Sequence, residues 1–418
     1  MTTDERLTTR QAAERLGVKP ETVYAYVSRG LLDSRRAPDG RGSTFDAREV
    51  DALVHRTRRP AQRHSGDGAA GGTGNATGVG AVRTGITLID GDHCWFRGVD
   101  ATALAERHRF EEAADWLWTG EMTPGTRFTA PREALAAARR AVAALPGHSA
   151  AMDRLRAAAV AMAAADPLRF DLAPEAVVGV GRTLIPVLVD ALPAAGQEHR
   201  GEGPLAWRLW SRLTARPADE ASLRVLDAAL VLLIDHDLAA STLAVRVAAS
   251  ARAHPYAVVS AGLGALDGPL HGAASGLAHR MLAEVLEQGS AAVVVAGHLR
   301  TGRSVPGLGH RLYPREDPRA AMLFRLLQDV PHAAPALGAA REVVATASRD
   351  TPLHANVDLA LAVLSVSCGM RPEAGETVFS VARTAGWIAH ALEEYEESPL
   401  RMRPSGHYVG PRPPRPVP

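Results

Sequence analysis

Four separated stretches hold histidine, aspartate, arginine and glycine at a density that an apolar helical core does not need. In LLIDHDLAASTLAVR, residues 232–246, His236 lies between two aspartates in what reads as an otherwise apolar helix. In GPLHG, residues 268–272, glycine flanks the segment around His271, and a helix is expected to begin just beyond; glycine there would let a ligand approach the backbone closely. In VPGLGHRLYPREDPR, residues 305–319, glycines expose amides and carbonyls beside His310, and three arginines follow; backbone donors and guanidinium forks together suit an anion. The fourth is Asn356-Val357-Asp358, a carboxylate at the head of an apolar segment. Each alone is explained as well by a capped helix, a turn or a satisfied polar residue.

The elements that must position these residues are mainly helices. From residue 82 onward, segments such as 131–145 and 152–165 repeat apolar residues at helical spacing, and alternating strand patterns are few. Prolines at 131, 167 and 174 and the run 193–196 mark connections. One exception is GITLIDGDHCWFRG, residues 85–98, where Asp90-Gly91-Asp92 between apolar runs predicts a small β-hairpin.

The first sixty residues read differently. Thr8-Thr9-Arg10-Gln11 has the form of a capping box for a helix over 10–16, and Gly17-Val18 makes a tight turn. A second helix follows, with Pro20 in its first turn and Val23, Tyr26 and Val27 on one face. RRAPDGRGSTF, residues 35–45, has the turn chemistry of a short wing hairpin, and residues 46–49 cap another helix. This pattern resembles the winged helix-turn-helix of MerR-like and excisionase-like domains. The resemblance implies DNA as a partner, with the second helix in the major groove and Lys19, Thr22, Tyr24, Arg29, Arg35, Arg36 and Arg41 as contacts. A module that keeps the fold and serves protein interaction or oligomerisation is the alternative. Residues 58–80, rich in Gly, Ser, Ala and Thr, read as a flexible linker, giving a division into 1–57, 58–80 and 81–418.

Composition sets limits on the class. At 418 residues, 46% apolar and 22% charged, the chain is a folded protein of more than one domain rather than a fibrous or disordered one. Two cysteines cannot form a disulfide framework, and no Cys/His spacing resembles a zinc site. The N-terminus lacks an apolar signal core and no segment is long enough for a membrane span, so a cytoplasmic protein is expected. Net charge is +1, with a small basic excess confined to the first sixty residues, a weak signal for nucleic acid.

Taken in order and spacing, the four clusters resemble the citrate synthases. The matching motifs are GITLIDGD followed by FRG, FEEAADWLWTGEMTP, MDRLR, DHDLAAST, GPLHGAA, VPGLGHRLYPREDPR, NVD, RTAGWIAHALE and RPSGHYVG, spanning about residues 82–410. The resemblance implies an all-α fold, a homodimer, and a small domain over about 272–370 that closes on a larger one. It implies condensation of acetyl-CoA or propionyl-CoA with oxaloacetate to give citrate or 2-methylcitrate and free CoA, with no metal or redox cofactor. Asp358 takes the place of the base that removes the α-proton, and His271 that of the donor to the thioester oxygen. His310 takes the place of the acid on the 2-oxo carbonyl. His236, Arg319 and Arg403 take those of oxaloacetate ligands, and the backbone of Val305, Gly307, Leu308 and Gly309 lies where CoA adenine binds. Two departures stand out. An arginine supplied by the partner subunit is expected well beyond Arg403, where this chain offers only Arg412 and Arg415, and His354-Ala355 precedes Asn356 where proline is common. The fused N-terminal module motivates a second reading, a DNA-binding regulator whose body senses acyl-CoA or oxaloacetate.

Overall fold

The computed structural model describes residues 6–16, 18, 23, 27, 32–36, 43–51, 82–197, 203–268, 271–349, 353–404 and 407–411. The chain divides into two compact units, residues 1–75 and 76–418.

In the first unit the helix Thr9–Leu16 opens on the expected capping box: the Gln11 side chain accepts from the Thr8 amide at 2.9 Å, and Thr8 Oγ1 accepts from the Gln11 amide at 3.4 Å. The wing is present as the strands Ser34–Arg36 and Ser43–Asp46, paired antiparallel. A third strand, Arg6–Thr8, adds to the other side of Ser43–Asp46. Sequence reading missed it because three residues cannot show an alternation. Of the second helix, Val23 and Val27 are described, both on helical backbone, and they pack with Leu7, Ala12, Leu16, Phe45 and Val50 into a small core.

The second unit begins with the expected hairpin. Thr87–Asp90 pairs antiparallel with His93–Phe96 across a two-residue turn at Gly91-Asp92, where Gly91 sits at φ +58°. Val99–Asp100 extends it to three strands. The remainder is helical. Ala374–Glu396, 23 residues long, buries residues on every side, as expected of a helix through a core. It packs against Phe110–Thr119, Pro174–Ala191, Ala240–Ser250 and Pro255–Leu266. No helix among the described residues is long and apolar enough to cross a membrane.

Candidate active site

His236 does not lie in a helix. The run expected to be continuous is broken between Glu220–Leu232 and Ala240–Ser250, with Asp237 at φ +54°, a conformation that aspartate tolerates better than most residues. At Gly386 a Cβ would lie 2.2 Å from the Ile234 carbonyl oxygen, so only glycine lets the long helix approach this loop so closely. His236 is buried, its ring edge-on to His310 at 5.1 Å, and its Nε2 lies 2.9 Å from the Tyr313 hydroxyl. Burial, then the charges of Arg319 and Arg383, hold its imidazole neutral, well below the usual histidine range.

The His310 loop is stapled to the segment that starts the Asp358 helix. Gly309 N–H donates to His354 O at 2.7 Å, Asn356 N–H to Gly307 O at 3.0 Å, and Asn356 Nδ2 to Gly309 O at 2.9 Å. Gly307 sits at φ +80°, where a Cβ would lie 2.8 Å from Leu359 Cβ. The glycines therefore serve close loop packing, and much of the backbone expected to face CoA is spent internally. Val305 is buried. Asp317 ties the pieces together, since its carboxylate grips Arg319 through two bonds of 2.9 Å and accepts from the Val357 amide at 3.0 Å.

These staples set the chemistry of His310 and Asp358. His310 Nδ1 accepts from the Leu312 amide at 3.1 Å, which places its proton on Nε2, and burial together with Arg319 pushes its pKa down to about 4. It is a neutral donor. Asp358 follows the N-cap Asn356 at the start of Val357–Ser367, and its carboxylate takes no hydrogen bond from the described residues. Burial pushes it up to about 6, against the pull of Arg319. A carboxylate so placed is a stronger base than an exposed one.

His271 Nε2 lies 2.8 Å from Ser241 Oγ, and its ring meets Phe379 edge-on at 6.0 Å. At Gly272 a Cβ would come within 2.4 Å of Leu266 O, so the sharp turn after His271 needs glycine. The helix then starts at Ala274, three residues past the histidine. Burial and Arg383 lower the His271 pKa, keeping it neutral as well.

Arg383 is a candidate site residue that sequence reading passed over. Its Nε donates to Leu233 O at 3.0 Å and its guanidinium lies 4.5 Å from the Phe379 ring centroid, while Nη1 and Nη2 are buried with no hydrogen-bond partner among the described residues. Burial pulls its pKa down to about 10, which leaves it charged at neutral pH. The signal available was an arginine in the apolar stretch VFSVARTAGWIAHAL, where a buried charge demands a reason. Behind it, Asp235 accepts from Thr87 Oγ1 at 2.5 Å and lies 3.2 Å from His390 Nε2, with its other oxygen unpaired.

His236, His310 and Arg319 thus come together with Tyr313, and the charges of Arg319 and Arg383 reach His236, His271 and Asp358. Arg403 is not brought in: it is exposed on the C-terminal segment and no contact joins its side chain to the cluster. Arg412 and Arg415 lie outside the described residues, as do Lys19, Thr22, Tyr24, Arg29 and Arg41. Arg35 is exposed on the wing, and Arg36 is described only in its backbone. Among the described residues no group of His, Cys, Asp and Glu is placed to hold a metal ion.

Neutral imidazoles, one raised carboxylate and two buried guanidiniums form a site able to bind an anion and move protons. Comparison with known proteins agrees. The family "Citrate synthase, C-terminal domain" matches residues 75–405, and "Helix-turn-helix domain" matches 6–58. "Putative citrate synthase 2" of Mycobacterium tuberculosis is 38% identical over 222 residues, 49% of this chain and 56% of that protein, so the chain spans about half the length of such curated relatives. "2-methylcitrate synthase 2" of Corynebacterium glutamicum is 26% identical over 75% of this chain and 88% of its own length. Citrate synthase from Thermotoga maritima superposes with a TM-score of 0.65 at 27% identity, over 82% of this chain and 97% of that one. With its fold, its motifs and a match over most of its length in accord, the chain belongs to the citrate synthase family.

Proposed function

We propose that the body condenses an acyl-CoA with oxaloacetate and hydrolyses the resulting thioester. Asp358 removes the α-proton of the acyl group. His271, with Ser241 donating to its Nε2, presents Nδ1–H to the thioester oxygen and stabilises the enol or enolate. The new carbon nucleophile attacks the 2-oxo carbonyl of oxaloacetate, whose oxygen takes the proton on His310 Nε2. Arg319 and Arg383 take the two carboxylates. Water then cleaves the thioester, releasing CoA and the tricarboxylate. Proton transfer, carbon–carbon bond formation and thioester hydrolysis are all redox-neutral, so the steps call for no redox cofactor, and the protein's own donors polarise the carbonyls without a metal. The observation that carries the proposal is a carboxylate that takes no hydrogen bond from the described residues, raised to about 6 by burial, in the field of Arg319.

The acyl donor is acetyl-CoA or propionyl-CoA, which differ by one methylene, about 1–3 kcal/mol in an apolar pocket. The relative called "2-methylcitrate synthase 2" supports keeping both. Incubation with oxaloacetate and each donor, followed by mass spectrometry, tests the reading: citrate or 2-methylcitrate is expected, and absence of both contradicts it. A homodimer in the cytoplasm belongs to the same proposal; its two free cysteines, Cys94 and Cys368, suit a reducing compartment.

The match of residues 6–58 to a helix-turn-helix domain supports a second reading, DNA binding by the N-terminal unit. In a pure sensor the base would be dispensable, so Asp358→Ala would leave ligand-dependent DNA binding intact.

A further inference from the structure

Tyr313 is buried in the loop between His310 and Arg319 and contacts both of them and His236. Its hydroxyl lies 2.9 Å from His236 Nε2. Its ring lies 4.8 Å from the His310 ring, centroid to centroid, and the Arg319 guanidinium carbon sits 5.3 Å from its centre. On the far side its hydroxyl meets the Cys94 thiol of the hairpin. The same hairpin holds this loop a second time, because Asp92 accepts from the Arg315 amide at 3.0 Å and the Glu316 amide at 3.2 Å.

We propose that Tyr313, anchored by the hairpin, is a positioning residue that fixes the tautomer and orientation of His236 and the spacing of His310 and Arg319. The inference rests on the synthase reading above. With the His236 proton on Nδ1, Nε2 accepts from the Tyr313 O–H at 2.9 Å. Burial favours the neutral form at each place: it pushes the thiol up to about 11, raises the phenol, and lowers the imidazole. Arg319 and Arg383 also face His236, and their charges oppose its protonation, as would a proton gained by the neighbouring His310. A donor on Nε2 opposes it further, since a hydrogen bond to the neutral form disfavours the charged one.

Tyr313→Phe keeps the ring and removes only the hydroxyl. Expected for this variant is a fall in kcat/KM for oxaloacetate of about tenfold, the size of one buried hydrogen bond, with the KM for acyl-CoA unchanged. The inflection that His236 contributes to the pH dependence of oxaloacetate binding is expected to move up by about one unit. An unchanged oxaloacetate KM and an unchanged inflection would overturn the proposal, as would equal losses for both substrates. Calorimetric titration of the full chain with oxaloacetate alone reads the same inflection without turnover, so an inactive wild type would count against the synthase reading and leave Tyr313 decidable. Should Tyr313→Phe fail to fold, Asp92→Ala, which removes the hairpin's hold on the Arg315 and Glu316 amides, is expected to lower kcat/KM for oxaloacetate by less, with the KM for acyl-CoA unchanged; no change would overturn the proposal.

Discussion

Two clusters of buried charge lie in the same unit and have opposite characters. In the first, Arg208 bonds both oxygens of Asp190 and the Phe128 carbonyl, so every guanidinium nitrogen has a partner, and Glu111 accepts from the Phe128 amide at 2.9 Å and the Leu205 amide at 3.0 Å. In the second, among the described residues, two buried nitrogens of Arg383 have no hydrogen-bond partner and the Asp358 carboxylate accepts no hydrogen bond. Both clusters carry the cost of desolvation, and only the first recovers it within the chain. What distinguishes a site from a structural tie is therefore pairing rather than burial. The proposed function assigns the unpaired groups of the second cluster to a ligand.

The largest effect that would sharpen this contrast is expected at Asp358. Asp358→Ala should lower turnover by about a thousandfold or more while oxaloacetate affinity, read by calorimetry, stays within about threefold. Loss of binding equal to the loss of rate would assign Asp358 to the ligand instead of the proton. Next comes the matched pair of arginines. Arg383→Leu should weaken oxaloacetate binding by about a hundredfold, the size of two charge-assisted hydrogen bonds, with a melting temperature equal to or above wild type. Arg208→Leu should do the reverse, destabilising the fold by about 3–5 kcal/mol because it strands Asp190, with KM unchanged in the protein that remains folded. If the two variants behaved alike, the distinction between the clusters would fail.

A pH series gives a smaller effect with a definite sign. The base must be ionised to act, and its pKa is raised to about 6, so kcat/KM should climb with pH through that value and level off above it. A profile already flat from about 4, the range of an unperturbed aspartate, would place the base in water. The smallest effect is expected from deleting residues 1–57. Because the two units are separate compact bodies, the rate should stay within about twofold of wild type. A larger fall would make the N-terminal unit part of the catalytic assembly.

Much of this was legible in the sequence because it depends on local chemistry. The Asp-Gly turn of the hairpin, the Thr8–Gln11 capping box and the glycines around His271 and His310 leave direct marks in residue type, and the motifs containing Asp358 and Arg319 are distinctive in their spacing. What stayed hidden depends on tertiary contact. The apolar residues on either side of His236 read as one helix, because the loop that breaks it packs at Ile234 and Asp235 against Gly386, more than a hundred residues away in sequence, and such a contact leaves no local mark. Arg383 sits in an apolar helix like any snorkelling arginine, and only the missing partners around its guanidinium mark it out. Arg403, chosen by motif, lies outside the cluster for the same reason: spacing along the chain does not report which side chains converge.

The most direct test of the central claim, that two guanidiniums and a raised carboxylate serve condensation on a dicarboxylate, is release of CoA thiol from acetyl-CoA or propionyl-CoA with oxaloacetate against 2-oxobutyrate. The second acid replaces one carboxylate by a methyl group and keeps the reacting carbonyl. Robust release with oxaloacetate and a preference of about a hundredfold or more over 2-oxobutyrate is the predicted result, because the lost carboxylate strands a buried arginine. Equal rates with the two acids, or no release with either from folded protein, would contradict it.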